Sequence, residues 1–219
     1  MDKHLDKKTF QTMIKPGSTI MVGGFMTCGT PEILIDWLVE AKIGDLTIIC
    51  NDAGYENQGV GKLIANNLVA RLVASHIGLN PKAGRLMGEG SLTVELVPQG
   101  TLAEQIRAYG AGLGGVLTPT GVGTIVETGK DVITIDGVKY LLEKAMGADF
   151  ALIEAREADP YGNLVYAKTA RNFNPIMASA AKTVIARVKD VRAEALDPEV
   201  VITPHVLVDY VVEGDEDGR

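Results

Sequence analysis

Three short stretches of the sequence hold residues able to bind or react. The first is Gly23-Gly24-Phe25-Met26-Thr27-Cys28-Gly29, which follows the apolar run Ser18–Val22 and leads into Thr30-Pro31-Glu32. Glycines let backbone N–H groups approach an anion closely, and a helix start after them adds the positive end of its dipole. The same glycines equally suit a tight strand-to-helix turn, so the pattern leaves ligand loop and plain turn both open. The second stretch is Val97-Pro98-Gln99-Gly100-Thr101, where one uncharged amide stands at a strand end. Gln99 can donate to a carboxylate or oxyanion while accepting elsewhere, although a turn glutamine bonded to nearby backbone would look the same. The third is Ser75-His76, a nucleophile beside a base. Consecutive strand residues point to opposite faces, so the two cannot pair directly, and structural roles are the favoured reading.

Other constellations fail on spacing or context. Gly110-Ala111-Gly112-Leu113-Gly114-Gly115 satisfies G-x-G-x-x-G, but it follows a helical segment, which excludes the dinucleotide reading. Gly59-Val60-Gly61-Lys62-Leu63 resembles the end of a phosphate loop. Leu63, however, stands where Ser or Thr must hold magnesium, and Glu56 stands where the first glycine belongs. His4, His76 and His205 share no metal-ligand spacing with carboxylates, so no metal site is expected. Cys28 and Cys50 form no C-x-x-C pair and read as reduced thiols. Among the carboxylates, Glu32 and Glu104 fit helix starts, while Glu56 and Glu127 carry no assigned role.

The elements that must position these residues are legible as β-branched runs separated by helical segments. Ser18–Val22, Leu46–Cys50, Leu72–His76, Thr93–Val97, Phe150–Ile153 and Thr183–Val188 read as buried strands. A helix is expected from Pro31 to about Ala41, with Thr30 as N-cap and Pro31 at the first helical position. Another is expected from Leu102 to about Tyr109, opened by a capping box of Thr101 and Glu104. The alternation predicts an α/β fold, a mostly parallel sheet covered by helices on both faces. In such a sheet the loop 23–29 and Gln99 share the carboxyl edge, where ligands bind. Seven glycines in the twenty residues 110–129 predict a long functional loop. Val132–Ile135 and Val138–Leu142, joined by Asp136-Gly137, predict a hairpin, so a small antiparallel β insert occupies about 110–143.

The 219 residues show no internal repeat and no linker, which favours one domain spanning 1–219 with a charged, frayed tail at 213–219. The hydrophobic share of 46% and charged share of 22% fit a soluble globular protein. A net charge of −7 disfavours nucleic acid. No apolar run approaches the roughly 20 residues of a membrane span, and Met1–Lys15 lacks a signal-peptide pattern; a cytoplasmic protein without a membrane partner is expected. An acidic chain that binds a phosphorylated molecule must attract it locally, through N–H groups, helix starts or a few placed cations.

Four stretches, in order along the chain, resemble the α subunit of the family I coenzyme A transferases, closest to the acetate (or butyrate) and acetoacetate CoA-transferases. They are Gly17–Phe25 continuing to Gly29-Thr30-Pro31, Val97–Ile106, Leu117–Thr124 and Ala170-Arg171-Asn172-Phe173-Asn174-Pro175. One departure is Pro16, where the family usually has Asp or Asn. The resemblance implies that CoA is a substrate, with no permanently bound cofactor. It implies transfer between short-chain acyl-CoA and carboxylic acids through a glutamyl-CoA intermediate. The nucleophilic glutamate belongs to a β subunit, in a Glu-x-Gly setting followed by apolar residues and a further glycine. Glu127-Thr128-Gly129 has the first three letters but continues Lys130-Asp131-Val132, and Glu56-Asn57-Gln58 lacks the glycine. This chain is therefore expected to lack a nucleophile. The resemblance gives it the CoA-binding loop Gly23–Gly29, Gln99 as hydrogen-bond partner of the foreign glutamate, and an α2β2 heterotetramer. The competing readings are a sugar-phosphate or acyl-CoA sensing module of the same fold, which would need an output domain, and a stand-alone isomerase or thioesterase.

Overall fold

A computed structural model describes residues 3–214, so residues 215–219 of the charged tail lie outside the described residues. In chain order the elements are α1 (Lys7–Met13), β1 (Thr19–Val22), α2 (Glu32–Ala41), β2 (Leu46–Cys50), α3 (Val60–Ala65), β3 (Val69–Ala74), α4 (Pro81–Gly88), β4 (Thr93–Leu96) and α5 (Gln99–Gly110). They continue with β5 (Gly115–Thr118), β6 (Val132–Ile135), β7 (Val138–Lys144), β8 (Ala148–Ala158), β9 (Leu164–Val165), α6 (Asn174–Ala178), β10 (Ala181–Val191) and β11 (Tyr210–Glu213).

The main sheet runs β11-β10-β8-β1-β2-β3-β4, with every neighbouring pair parallel; short β9 adds antiparallel to the end of β8. Side-chain alternation along each strand divides the core into two layers. Ile20, Val22, Ile48, Cys50 and Leu152 point to the face covered by α1–α4, where Phe10, Leu34, Ile35, Leu38 and Leu63 are buried. Met21, Ile49, Val73 and Ile153 point to the other face, under Leu102 and Ile106 of α5 and Met177 of α6. Each fully buried Leu or Ile contributes about 1.5–3 kcal/mol, which explains why the strands read as continuous apolar runs. Helices thus cover both faces of a mostly parallel sheet, as the sequence predicts.

From β1 the chain builds outward through β2, β3 and β4, then returns to lay β8 on the other side of β1. The point where strand order reverses therefore lies between β1 and β8, and there the loops leave the carboxyl edge in opposite directions.

The antiparallel insert is larger than the expected hairpin. Residues 110–129 are not one loop: Gly115–Thr118 is β5, giving a second sheet of order β5-β7-β6, and Ile125–Glu127 forms a 3-10 turn. Gly115 serves close strand packing, because a Cβ there would stand 2.4 Å from the Glu143 carbonyl oxygen. Asp136 and Gly137 both take positive φ, the two-residue hairpin geometry that their pairing signals. Helix starts also differ from expectation. Pro31, not Thr30, caps α2, and Thr30 packs its side chain beside Gly24 instead. Pro98 caps α5, so that helix begins at Gln99. The expected capping box does not form: Glu104 pairs with Arg107, and the buried Thr101 hydroxyl has no hydrogen-bond partner.

A buried carboxylate ties the insert to the main body. Glu143 of β7 accepts from Gln105 Nε2 of α5 at 3.2 Å and from Lys130 Nζ at 2.6 Å. Its side chain is 3% exposed, whereas that of Lys130 is 28% exposed. Lys130→Met is expected to destabilise the chain by about 2 kcal/mol, below the ~3–5 kcal/mol of breaking a fully buried pair because Lys130 is partly solvated. Chemical denaturation checks this, and the double change Lys130→Met with Glu143→Gln should recover most of the loss.

Candidate functional site

Two consecutive strand-to-helix loops form the floor of the site, and they share one architecture. Gly24-Phe25-Met26-Thr27-Cys28-Gly29 follows β1, and Gly54-Tyr55-Glu56-Asn57-Gln58-Gly59 follows β2. In each, an aromatic residue bridges the residue three positions on, Phe25 to Cys28 and Tyr55 to Gln58. Glycines of positive φ close both ends, and both rings are exposed. This local duplication corrects the expectation of no repeat. The signal was a glycine, an aromatic, three residues and a glycine, twice, each after a strand.

The buried Asp52 stitches the two loops together. Its Oδ2 accepts from Met26 N at 2.7 Å and from Asn51 Nδ2 at 2.7 Å, while Oδ1 accepts from Gly54 N at 2.9 Å. Glu32 makes a second stitch, accepting from Gly59 N at 2.7 Å and pairing with Lys62. Glu32 keeps the expected place in the first turn of α2 and adds this contact between neighbouring loops. Burial pushes the Cys50 thiol well up, so it stays protonated and unreactive.

Asn51 extends this network across the carboxyl edge. Its Oδ1 accepts from Gln99 Nε2 at 2.6 Å, and Ser75 Oγ donates to the Asn51 carbonyl at 2.7 Å. Because the Asp52 carboxylate only accepts, it fixes which end of the Asn51 amide is the donor, and Asn51 then fixes the amide of Gln99. One N–H of Gln99 is used by Asn51 and its side chain reaches solvent at the start of α5, so its second N–H is available to a ligand. Sequence reasoning selected Gln99 but missed Asn51 and the positioning role of Ser75. The Ser75 hydroxyl bonds Asn51, whereas His76 forms a backbone bridge with Asp52.

On the other side of the switch point, buried Asn174 locks the first loop to β8. Its Oδ1 accepts from Glu154 N at 3.0 Å, and its Nδ2 donates to Gly29 O at 2.9 Å and Ala170 O at 2.8 Å. Gly23 must be glycine here, since a Cβ would lie 1.8 Å from Asn174 Oδ1. Within the loop, the amides of Gly23, Phe25, Met26 and Cys28 already donate inside the chain. Phe25 and Cys28 are exposed, and Met26 and Thr27 between them are partly so. Gln99, the loop 23–29 and Asn51 all belong to one edge of the sheet. Beside Gln99, the groove lined by Gly100, Thr101, Glu104, Leu117, Thr118 and Thr120 runs between α5 and the insert. No group of three or more His, Cys, Asp or Glu side chains that could hold a metal ion is found among the described residues. Among them, too, no helix is long and apolar enough to cross a membrane.

A family model described as Coenzyme A transferase matches residues 7–214. The acetoacetyl-CoA:acetate/butyrate CoA transferase alpha subunit of Clostridium acetobutylicum is 53% identical over 94% of this chain and 94% of its own length. The acetate CoA-transferase subunit alpha of Escherichia coli K12 is 50% identical, covering 92% of each chain. A crystal structure of an acyl-CoA transferase from E. coli O157:H7, in a thioester complex with CoA, has the same fold. It superposes with a TM-score of 0.85 at 24% identity over 97% of this chain, which spans 47% of that longer one.

Asp52→Asn places an N–H against N–H donors and should loosen both loops at once. The expected loss is about 2 kcal/mol, the scale of hydrogen bonds to a charged group. Hydrogen exchange checks the coupling: the amides of Met26 and Gly54 should speed up together, and acceleration of one alone would contradict a shared anchor.

Proposed function

Because the chain belongs to the coenzyme A transferase family, we propose that it is the α subunit of a two-chain enzyme, two copies of each, that moves CoA between a short-chain acyl-CoA and a carboxylic acid of the acetate, butyrate and acetoacetate class. The names and full-length match of the two relatives support the substrate class. The observation that carries the division of labour is the condition of the carboxylates. Asp52 is held by three N–H donors, Glu32 by Gly59 N and Lys62, and Glu127 accepts from Gly123 N out in the insert. Each has a structural task, which supports a reacting carboxylate supplied by the partner chain.

In the proposed reaction that foreign glutamate attacks the thioester carbonyl carbon, the C–S bond breaks, and CoA leaves as the thiolate with an acyl-glutamyl anhydride behind. The thiolate then attacks the glutamyl carbonyl, releasing the first acid and forming a glutamyl-CoA thioester. The acceptor carboxylate runs both steps in reverse, with no net proton or electron transferred. Gln99 is the residue of this chain that faces the chemistry: its spare N–H donates to the glutamate or to the oxyanion formed from it. A carboxylate is a weak nucleophile, so a dry site at the junction of two chains and a preorganised donor supply the activation. The loop Gly23–Gly29 is the CoA-binding element, with exposed Phe25 and Cys28 along its rim.

The chain alone is expected to show no CoA transfer between acetyl-CoA and acetoacetate, with activity appearing once the partner chain is added. Robust turnover by the isolated chain would overturn this division of labour. In the assembled enzyme, Gln99→Ala should lower kcat by roughly 10²-fold, the usual effect of losing one oxyanion donor. Size-exclusion chromatography should find assembly unchanged, and an unaltered rate would remove Gln99 from the site.

A further inference from the structure

Coenzyme A carries a diphosphate and a 3′-phosphate, and the anion-binding devices expected at the first loop are partly occupied, four of its seven amides donating inside the chain. The amides of Gly23, Phe25, Met26 and Cys28 are spent on Leu152, Cys28, Asp52 and Phe25. The start of α2 offers little more: Pro31 has no N–H, the Glu32 amide donates back to Thr30 O at 2.8 Å, and the Glu32 side chain is itself anionic. Lys62 of α3 is neutralised by Glu32 and Asp36, each at 2.7 Å. In a chain of net charge −7, a few placed cationic side chains near the loop would supply the positive field that the remaining amides lack.

The 3-10 turn Lys168–Arg171 is docked directly on this loop. Thr169 Oγ1 lies 3.3 Å from Cys28 Sγ, Asn172 Nδ2 donates to Cys28 O at 2.9 Å, and Asn174 Nδ2 reaches both Gly29 O and Ala170 O. Gly29 fits so closely that a Cβ there would stand 2.9 Å from the Ala170 backbone. The turn is therefore held rigidly where it carries two exposed cations, Lys168 and Arg171, neither ion-paired to a described carboxylate. Lys168 also has φ +49°, a left-handed conformation that long side chains rarely adopt and that persists only where surrounding contacts impose it. Met26, with φ +59°, shows the same departure in the loop beneath.

We propose that Lys168 and Arg171 form the phosphate-binding part of the CoA site, Lys168 as a point charge and Arg171 as a two-pronged donor. The inference rests on the reading of Gly23–Gly29 as the CoA-binding loop and adds the residues that meet the carrier's charge. The interaction is non-covalent and leaves the acyl chemistry to the other end of the same ligand.

The test compares acetyl-CoA, acetyl-dephospho-CoA and S-acetylpantetheine as donors for the assembled enzyme. Lys168→Gly is the informative variant because glycine suits positive φ, so charge is removed without backbone strain; it is combined with Arg171→Gln. The double variant should raise KM for acetyl-CoA about tenfold or more, with kcat little changed and KM for S-acetylpantetheine, which has no phosphate, within twofold of the parent. Lys168→Arg with Arg171→Lys should restore most of the affinity. An equal KM rise with acetyl-dephospho-CoA assigns the cations to the diphosphate, and a smaller one to the 3′-phosphate; either supports the proposal. A KM for acetyl-CoA unchanged within twofold, or one that rises equally for S-acetylpantetheine, would overturn it while leaving the transferase reading intact. Failure of the parent enzyme to use acetyl-CoA at all would overturn that reading, and this inference with it.

Discussion

The site depends on one carboxylate that is satisfied by N–H donors from three directions. Asp52 holds Met26 of the first loop, Gly54 of the second and the amide of Asn51. Burial makes such an acceptor costly to leave unpaired, so the three donors are held as strongly as they hold it. The orientation imposed on Asn51 passes to Gln99, 48 residues further along the chain. One buried charge therefore shapes the loop at the end of β1 and aims the side chain at the end of β4.

A second constraint works at the strand-order reversal. Asn174 has no room unless residue 23 lacks a side chain, and with glycine there it bonds β8 and the end of the first loop at once. The two halves of the sheet are thereby joined above as well as through the ladder between β1 and β8. Glycine at this position is a matter of close approach more than of conformational freedom. The same wedge brings the turn 168–171 against the loop, which is how residues some 140 positions apart, Cys28 and Thr169, come to share a surface.

The parallel sheet was legible in the sequence because strand segments buried on both faces must be largely apolar, as β1, β2 and the centres of β8 and β10 are, whereas the charged ends of β8 and β10 hid how far those two strands extend. Gln99 and the loop 23–29 were found because their types and their place after strands are local signals. Asn51 was not, because its meaning lies in partners 24 and 48 residues away, Ser75 and Gln99. Helix starts misled where two local signals competed: Thr101 and Glu104 spell a capping box, but Pro98 had already opened α5 one turn earlier. The glycines of 110–129 suggested a loop because composition cannot distinguish a flexible glycine from one, such as Gly115, that lets two strands meet. The short helices α3 and α6 carry too few turns for a periodic signal.

The insert carries a feature with consequences for how this chain meets other extended segments. Strand β6, Val132-Ile133-Thr134-Ile135, lies at the border of its small sheet, with every residue exposed and one side of its backbone ladder open. Such a strand is a template for any extended segment it meets. Left bare at high concentration, β6 would favour edge-to-edge association between copies of this chain over the separate folded chain.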